Sequence, residues 1–157
     1  MILATHALTG AVLGRFISNP WILIPVAIAS HFALDNLRHG EYVESFDSRT
    51  AFRNTWWKIA LDISIAGALL GLVFYFKFPG LTVGRNMLLG GFFSTLPDLL
   101  TVLFWKFRWS WLSPIYNFHA GIMHRYPRFS PEREWNLRNA WNDIAISALS
   151  ILILFFL

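Results

Sequence analysis

The sequence predicts an all-α membrane protein, a polytopic bundle of about five helices in a single domain. Of its 157 residues, 55% are hydrophobic and only 14% are charged, with a mean hydropathy of +0.48. A soluble domain carries about 25% charged residues. Five long apolar stretches are separated by short breaker segments, and each approaches the roughly 20 residues that a membrane span requires. Because five such spans use most of the chain, one domain over residues 1–157 is expected.

The helices are predicted from the apolar runs and the breakers between them. The first two are short and are separated only by Ser18-Asn19-Pro20, which predicts a tight helical hairpin that tilts or only partly crosses. Phe78-Pro79-Gly80 ends the third helix. Ser130-Pro131-Glu132 offers an N-cap, a first-turn proline and an acid, which predicts that the last helix begins there. The predicted helices cover residues 3–17, 21–37, 57–78, 85–105 and 131–157.

A polar and aromatic segment, residues 106–138, lies between the fourth span and the last. Tryptophan and tyrosine rings favour the headgroup level of a bilayer, so this Trp-rich segment is predicted to be interfacial. Its amphipathic rings are Trp109, Trp111, Tyr116, Tyr126 and Trp135.

The net charge of +4 comes with basic residues scattered through loops beside apolar spans. This distribution favours anionic lipid headgroups as partners over nucleic acid, and it indicates no particular protein partner. Lysine and arginine concentrate in the second and fourth loops, so the positive-inside rule predicts that these loops and the N-terminus are cytoplasmic. The chain has no cysteine, so any metal site requires histidine and carboxylate ligands.

Several ionisable residues interrupt the apolar stretches, where a bilayer penalises them, and such residues are candidates for a functional site. With alternating helix directions, all of them fall toward the predicted cytoplasmic side. His31 and Asp35 are four residues apart and share a helix face, a spacing that suits two metal ligands or a ligand and its orienting partner. A hydrogen-bonded buried histidine is the simpler alternative. The residues within the apolar stretches are His6, His31, Asp35, Asp62 and Asp98. From the second loop, the fourth loop and the start of the last span, they are joined by His39, His119, His124 and Asp143.

Two further spacings bear on this set. Pro97 loosens the backbone hydrogen bonding beside Asp98 and can turn that acid inward, although a kink alone explains the proline equally well. His119 and His124 are five residues apart and would point about 140° apart on a continuous helix, so a loop or broken helix is expected between them. Asp62 is open to a structural ion-pairing role as well as a functional one.

Together, four motifs resemble a family of small bacterial inner-membrane proteins described as predicted membrane-bound metal-dependent hydrolases. That family is itself distantly similar to zinc-dependent phospholipases C. The resemblance extends over nearly the whole chain. The motifs are Thr-His with a following glycine (Thr5, His6, Gly10), His-x-x-x-Asp (His31, Asp35), Pro-Asp-x-Asp (Pro97, Asp98) and a histidine-rich segment at residues 119–125.

The chain departs from the family pattern at four positions. Leu100 replaces the second acid of Pro-Asp-x-Asp, a loss that can remove one of two metals. Asp62 or His39 could compensate, and both are candidate catalytic residues. The other departures are Ala120, Met123 and Arg125, which replace the family's arginine, threonine and serine.

The resemblance implies a bacterial inner-membrane hydrolase that uses one or two divalent metal ions, with zinc favoured by nitrogen and oxygen ligands. A phosphoester of a lipid at the cytoplasmic interface is the expected substrate class. Three alternatives remain open: a non-catalytic protein with a structural metal or buried polar network, an adaptor that uses the Trp-rich segment, and a proton- or ion-coupled carrier. The implied metal ligands are His6, His31, Asp35, Asp98, His119 and His124.

Overall fold

A computed structural model describes residues 1–43, 45 and 47–157. Helices hold 77% of the residues and the described part contains no strand, which confirms the predicted all-α class. A 3₁₀ turn at Ser110–Leu112 and a π-helical turn at Phe118–Ile122 flank the short fifth helix. The helices are α1 (Leu3–Phe16), α2 (Pro20–Asp35), α3 (Ser48–Lys77), α4 (Leu81–Phe107), α5 (Ser113–Asn117) and α6 (Leu137–Phe156).

Among the described residues, α3, α4 and α6 are each long and apolar enough to cross a membrane. The helix α2 is apolar but has only 16 residues, and α1 has 14. The architecture is therefore compatible with a membrane protein, with three candidate spans where the sequence predicted five. Large apolar side chains on the outside of the long helices fit this assignment, including Leu72, Leu88 and Leu149.

The largest differences from the sequence prediction are at the starts of two helices. The helix α3 begins at Ser48 instead of residue 57, because the Asp47 carboxylate accepts the Thr50 N–H and caps the helix. The predicted start of the last helix at 131 is wrong: residues 131–136 form turns, and the helix begins at Leu137. Asn136 provides its N-cap instead of Ser130.

The helix α1 lies at the centre of the bundle, in close contact with α4. A Cβ atom added to Gly10 would lie 2.2 Å from the Gly90 carbonyl oxygen, and one added to Gly14 would lie 2.0 Å from that of Asn86. Only glycine allows the two backbones to approach so closely. The adjoining apolar core is formed by Leu8, Ala11, Leu70, Val73, Met87 and Leu154.

Two aspartates from the long helices hold the N-terminal end of α1. The Asp62 carboxylate of α3 accepts the Ala4 N–H at 3.2 Å, and that of Asp143 in α6 accepts the Ile2 N–H at 3.0 Å and the Thr5 hydroxyl at 3.1 Å. The first N–H groups of a helix lack intrahelical partners, and negative charge is stabilised there. These contacts fix the first turn of α1, and with it His6, at the end of the bundle where α2 terminates.

Candidate metal centre

A buried carboxylate, that of Asp35, lies at the centre of the polar cluster. Asp35 is the last residue of α2 and is 1% exposed. The chain has five histidines, and each brings a ring nitrogen within 4.8 Å of this carboxylate. They come from α1, α2, the segment after α2, the π-helical turn and the residues just beyond it: His6, His31, His39, His119 and His124.

The two oxygens of Asp35 have different neighbours. The Oδ1 atom contacts the Nε2 atom of His6 at 3.1 Å and the amino group of Met1. The Oδ2 atom lies 3.1 Å from the Nε2 atoms of both His31 and His119. The carboxylate therefore divides the cluster into two sides.

Within the described residues, two groups of possible ligands share Asp35. In the first, ligand atoms of His31, Asp35, Asp98 and His119 all lie within 4.8 Å of one another. The second contains Asp35 together with His39 and His124, under the same distance limit. Asp98 is the most accessible ligand of the first group, with its side chain 25% exposed, and its Oδ1 lies 3.7 Å from the His119 Nε2 atom.

Backbone carbonyls orient two of the imidazole rings. The Nδ1–H of His31 donates to the Ser94 carbonyl at 2.8 Å, and that of His39 donates to the Leu37 carbonyl at 2.8 Å. In both rings Nε2 is then the nitrogen that carries the lone pair. Metal-binding histidines are commonly held in this way, with the other ring N–H on a carbonyl or carboxylate.

A threonine orients the third ring. The Thr101 hydroxyl donates to the Pro97 carbonyl at 3.2 Å, so its oxygen accepts the Nδ1–H of His119 at 3.0 Å. The His119 Nε2 lone pair then also points into the cluster.

Hydrogen-bond acceptors from three side chains therefore lie close together around one Asp35 oxygen. The Nε2 atoms of His31 and His119 are 3.0 Å apart, and both lie 3.1 Å from the same Asp35 oxygen. Lone pairs at these distances require a proton or a cation between them. The buried Nε2 of His39 has no hydrogen-bond partner among the described residues. These nitrogen and oxygen donors therefore fit a divalent metal ion.

The two histidines outside the helices are neutral near pH 7. Burial lowers the pKa of His124 to about 4 and holds the pKa of His39 well below its usual value. Neutral imidazole is the form that binds metals, so neither ring must lose a proton first.

The structure places most of the predicted site residues in the two ligand groups and leaves others outside them. His31, Asp35, Asp98, His119 and His124 fall in the two ligand groups, as does His39, which was expected to be catalytic. His6 falls in neither group and instead holds the Oδ1 atom of Asp35.

Asp62 also lies outside both groups. Its carboxylate accepts the Ala4 N–H and, at 3.4 Å, the Tyr42 hydroxyl. We expect Asp62→Asn to leave both the metal content and the melting midpoint close to those of the wild type, because asparagine keeps an acceptor for the Ala4 N–H and the residue belongs to neither ligand group. Elemental analysis and a melting curve of the same sample check this, and loss of metal would return Asp62 to the site.

Sequence reasoning missed the groups that orient the rings. Thr101 could have been identified from its spacing. It follows Pro97 by four residues and Asp98 by three, so it lies on the same face of α4. The carbonyls of Ser94 and Leu37 left no signal, because any residue supplies a carbonyl.

Comparisons of the chain with protein-family models, curated proteins and solved structures gave no match. Function is therefore inferred from the chemistry of the residues around Asp35.

Proposed function

We propose that the protein is a polytopic, membrane-embedded metal-dependent hydrolase that acts on a phosphoester of a lipid. The observation that carries the proposal is the convergence of histidine Nε2 lone pairs and carboxylate oxygens around Asp35. The four-motif resemblance to membrane-bound metal-dependent hydrolases and the three long apolar helices support it.

Zinc is the proposed ion, because imidazole and carboxylate donors suit it and the chain has no thiolate. The first ion would be held by His31, Asp35, Asp98 and His119, and a second by Asp35, His39 and His124. When bound, the metal supplies an activated water and stabilises negative charge on a phosphoryl oxygen. Placing His39 in the second group offers a replacement for the acid that is absent at Leu100.

The protein's own groups would prepare this chemistry. Thr101 and the Ser94 carbonyl hold two rings in the tautomer that presents Nε2. Asp98 and Thr101 also line a cavity of about 60 Å³, which has room for a few water molecules. This cavity therefore places water beside Asp98, the most accessible ligand of the first group.

The site lies at one end of the bundle, where aromatic side chains collect. Trp105 lines the small cavity, and Trp135 packs against Gly40 beside His39. Tryptophan favours the headgroup level, which is where a lipid phosphoester lies. We place this end at the cytoplasmic face of a bacterial inner membrane, because the lysine and arginine residues of the second and fourth loops collect there.

A second candidate is a non-catalytic protein with a structural metal. Its support is the burial of the cluster, since His31 is 0% and Asp35 1% exposed, and the small size of the adjoining cavity. Structural metal sites are typically closed in this way, whereas catalytic ones keep an open position. Metal binding without turnover would favour this candidate.

The first experiment is elemental analysis of the detergent-purified protein, with His119→Ala and Asp98→Ala variants. We expect near-stoichiometric zinc in the wild type and loss of metal in both variants, because each removes a first-group ligand from a different helical element. Lys77→Gln, on an exposed residue at the end of α3, is the matched control and should retain the metal.

Turnover is then assayed on the loaded protein with a phospholipid in mixed micelles. Phosphoester hydrolysis that stops on chelation and returns with zinc supports the proposed activity. Full metal occupancy in both variants would contradict the ligand assignment, and bound metal with no hydrolysis would select the structural role.

A further inference from the structure

One end of the long helix pair, α3 and α4, carries more basic residues than acids. From residue 48 to residue 61 the sequence has three basic residues and no acid, and from residue 99 to residue 131 it has four basic residues and no acid. The N-terminus of α3 meets the C-terminus of α4 at this end, where Asp47 pairs with Arg108 at 3.6 Å. The remaining cations give this end of the pair a positive surface.

Three of these cations border a single aromatic ring. Arg49 and Arg53 are both exposed and lie one helical turn apart on α3, and Phe52 lies beside them on the helix. The Nζ atom of Lys106, which is also exposed, lies 4.7 Å from the centre of the Phe52 ring and so brings a cation of α4 to the same place. Within the part of the chain that the structure describes, none of the three cations forms an ion pair. We call Arg49, Arg53 and Lys106 the cationic patch.

The cationic patch is electrostatically unfavourable without a ligand. Like charges four residues apart on a helix repel each other, as Arg49 and Arg53 do. Arg49 also lies in the first turn of α3, where the helix dipole disfavours a cation and favours an anion. An anion bound between the side chains relieves both effects, and the planar guanidinium group matches the geometry of phosphate oxygens. A phosphate group is therefore the ligand that this patch suits best.

The position of the patch along the helices favours a lipid phosphate. The helices α3 and α4 have 30 and 27 residues, whereas about 20 cross the hydrocarbon of a bilayer, so their ends extend into the headgroup region. Trp56, three residues further into α3 than Arg53, is 54% exposed. Just beyond α4, the rings of Trp109 and Trp111 stack at 5.9 Å and are 44% and 62% exposed. Exposed tryptophans favour the headgroup level, where lipid phosphates lie.

We propose that the cationic patch binds the phosphate of an anionic phospholipid whose headgroup carries no ammonium group. The phosphate oxygens accept hydrogen bonds from the guanidinium groups of Arg49 and Arg53 and from the Lys106 ammonium. A headgroup ammonium is disfavoured, because the neighbouring Asp47 carboxylate already caps α3 and pairs with Arg108. This lipid site goes beyond the proposed hydrolase and does not depend on it, since the three residues lie outside both metal-ligand groups.

Native mass spectrometry of the full chain in detergent, with equal amounts of dioleoyl phosphatidylglycerol and dioleoyl phosphatidylethanolamine, tests this site. We expect the wild type to retain phosphatidylglycerol in preference, and retention should fall as the salt concentration rises. A variant that combines Arg49→Gln, Arg53→Gln and Lys106→Gln should bind this lipid about 100-fold more weakly. Each lysine or arginine near an anionic lipid surface contributes a factor of about five, and the variant removes three.

The matched control combines Lys77→Gln with Arg85→Gln, which removes two cations from the opposite ends of the same two helices. It should bind phosphatidylglycerol as the wild type does. Glutamine is a good helix former, so the patch variant should melt no lower than the wild type in lipid-free detergent. Added phosphatidylglycerol should raise the melting midpoint of the wild type only. Should the combined variant fail to fold, Arg53→Gln alone repeats the test with an expected loss of about fivefold.

Three results would overturn the inference. They are equal retention of the two lipids, equal loss of binding in the patch variant and the control, and displacement of the lipid by an excess of soluble glycerol phosphate. The last result would make the ligand a free phosphoester instead of a lipid.

Metal content is measured on the same samples. We expect the patch variant to lose lipid binding and keep its metal, whereas loss of both would contradict a lipid site that is separate from the metal centre. A wild type that retains phosphatidylglycerol but contains no metal would refute the metal centre and leave the lipid site standing.

Discussion

Replacing Asp35 with asparagine should lower the affinity for zinc by at least about 100-fold, the upper end of the effect of losing a partner of a metal ligand. Asparagine keeps the shape but removes the negative charge that faces the Nε2 atoms of His31 and His119. Asp35 is also the residue shared by both ligand groups, so the effect should extend to every bound ion. Competition with a chromogenic zinc chelator measures the change.

Asp47→Asn is the control for this substitution. Asp47 is an exposed carboxylate that caps α3 far from the histidines, and asparagine keeps the cap, so zinc affinity should be unchanged. Wild-type zinc affinity in Asp35→Asn would refute the metal centre as described.

Gly10→Ala should strongly destabilise the bundle. The new Cβ would lie 2.2 Å from the Gly90 carbonyl oxygen and 2.7 Å from the Ser94 Cβ, so α1 and α4 must separate. Overpacking of this kind costs about 1–3 kcal/mol or more, and here the obstacle is backbone. The midpoint of thermal unfolding in detergent measures the loss.

Gly71→Ala provides the opposite case within α3. A Cβ there meets nothing within 4 Å among the described residues, and alanine favours a helix over glycine by about 0.5–1 kcal/mol. The melting midpoint should therefore stay constant or rise. Equal midpoints for Gly10→Ala and Gly71→Ala would show that α1 and α4 are not in close contact.

The helical class could be predicted from the sequence because long apolar runs have few alternatives. The start of α3 could not, because the polar residues 48–56 resemble a loop, and only packing shows that Ala51 and Thr55 are buried. The turn residues Ser130 and Pro131 match the signature of a helix start, yet they precede further turns. Local patterns of this kind do not distinguish a cap from a turn.

The site was partly predictable for a similar reason. The spacing of His31 and Asp35 placed both on one face of α2, as the structure confirms, and the alternation of helices placed the other histidines at the same level. Asp62 lies at that level too, but its helix turns the carboxylate toward the first turn of α1. The sequence predicts where a side chain lies along the axis of the bundle. The neighbour toward which that side chain points depends on how the helices pack.

The contact between His31 and His119 joins positions that are 88 residues apart in the chain. A cation held by both rings would close a loop that contains all of α3 and α4, as a covalent cross-link does. Free zinc concentration would then act as a stabilising ligand for the folded bundle, and each tenfold rise above the dissociation constant would add about 1.4 kcal/mol. The abundance of the protein in a cell would consequently follow the metal supply, whether or not the protein is catalytic.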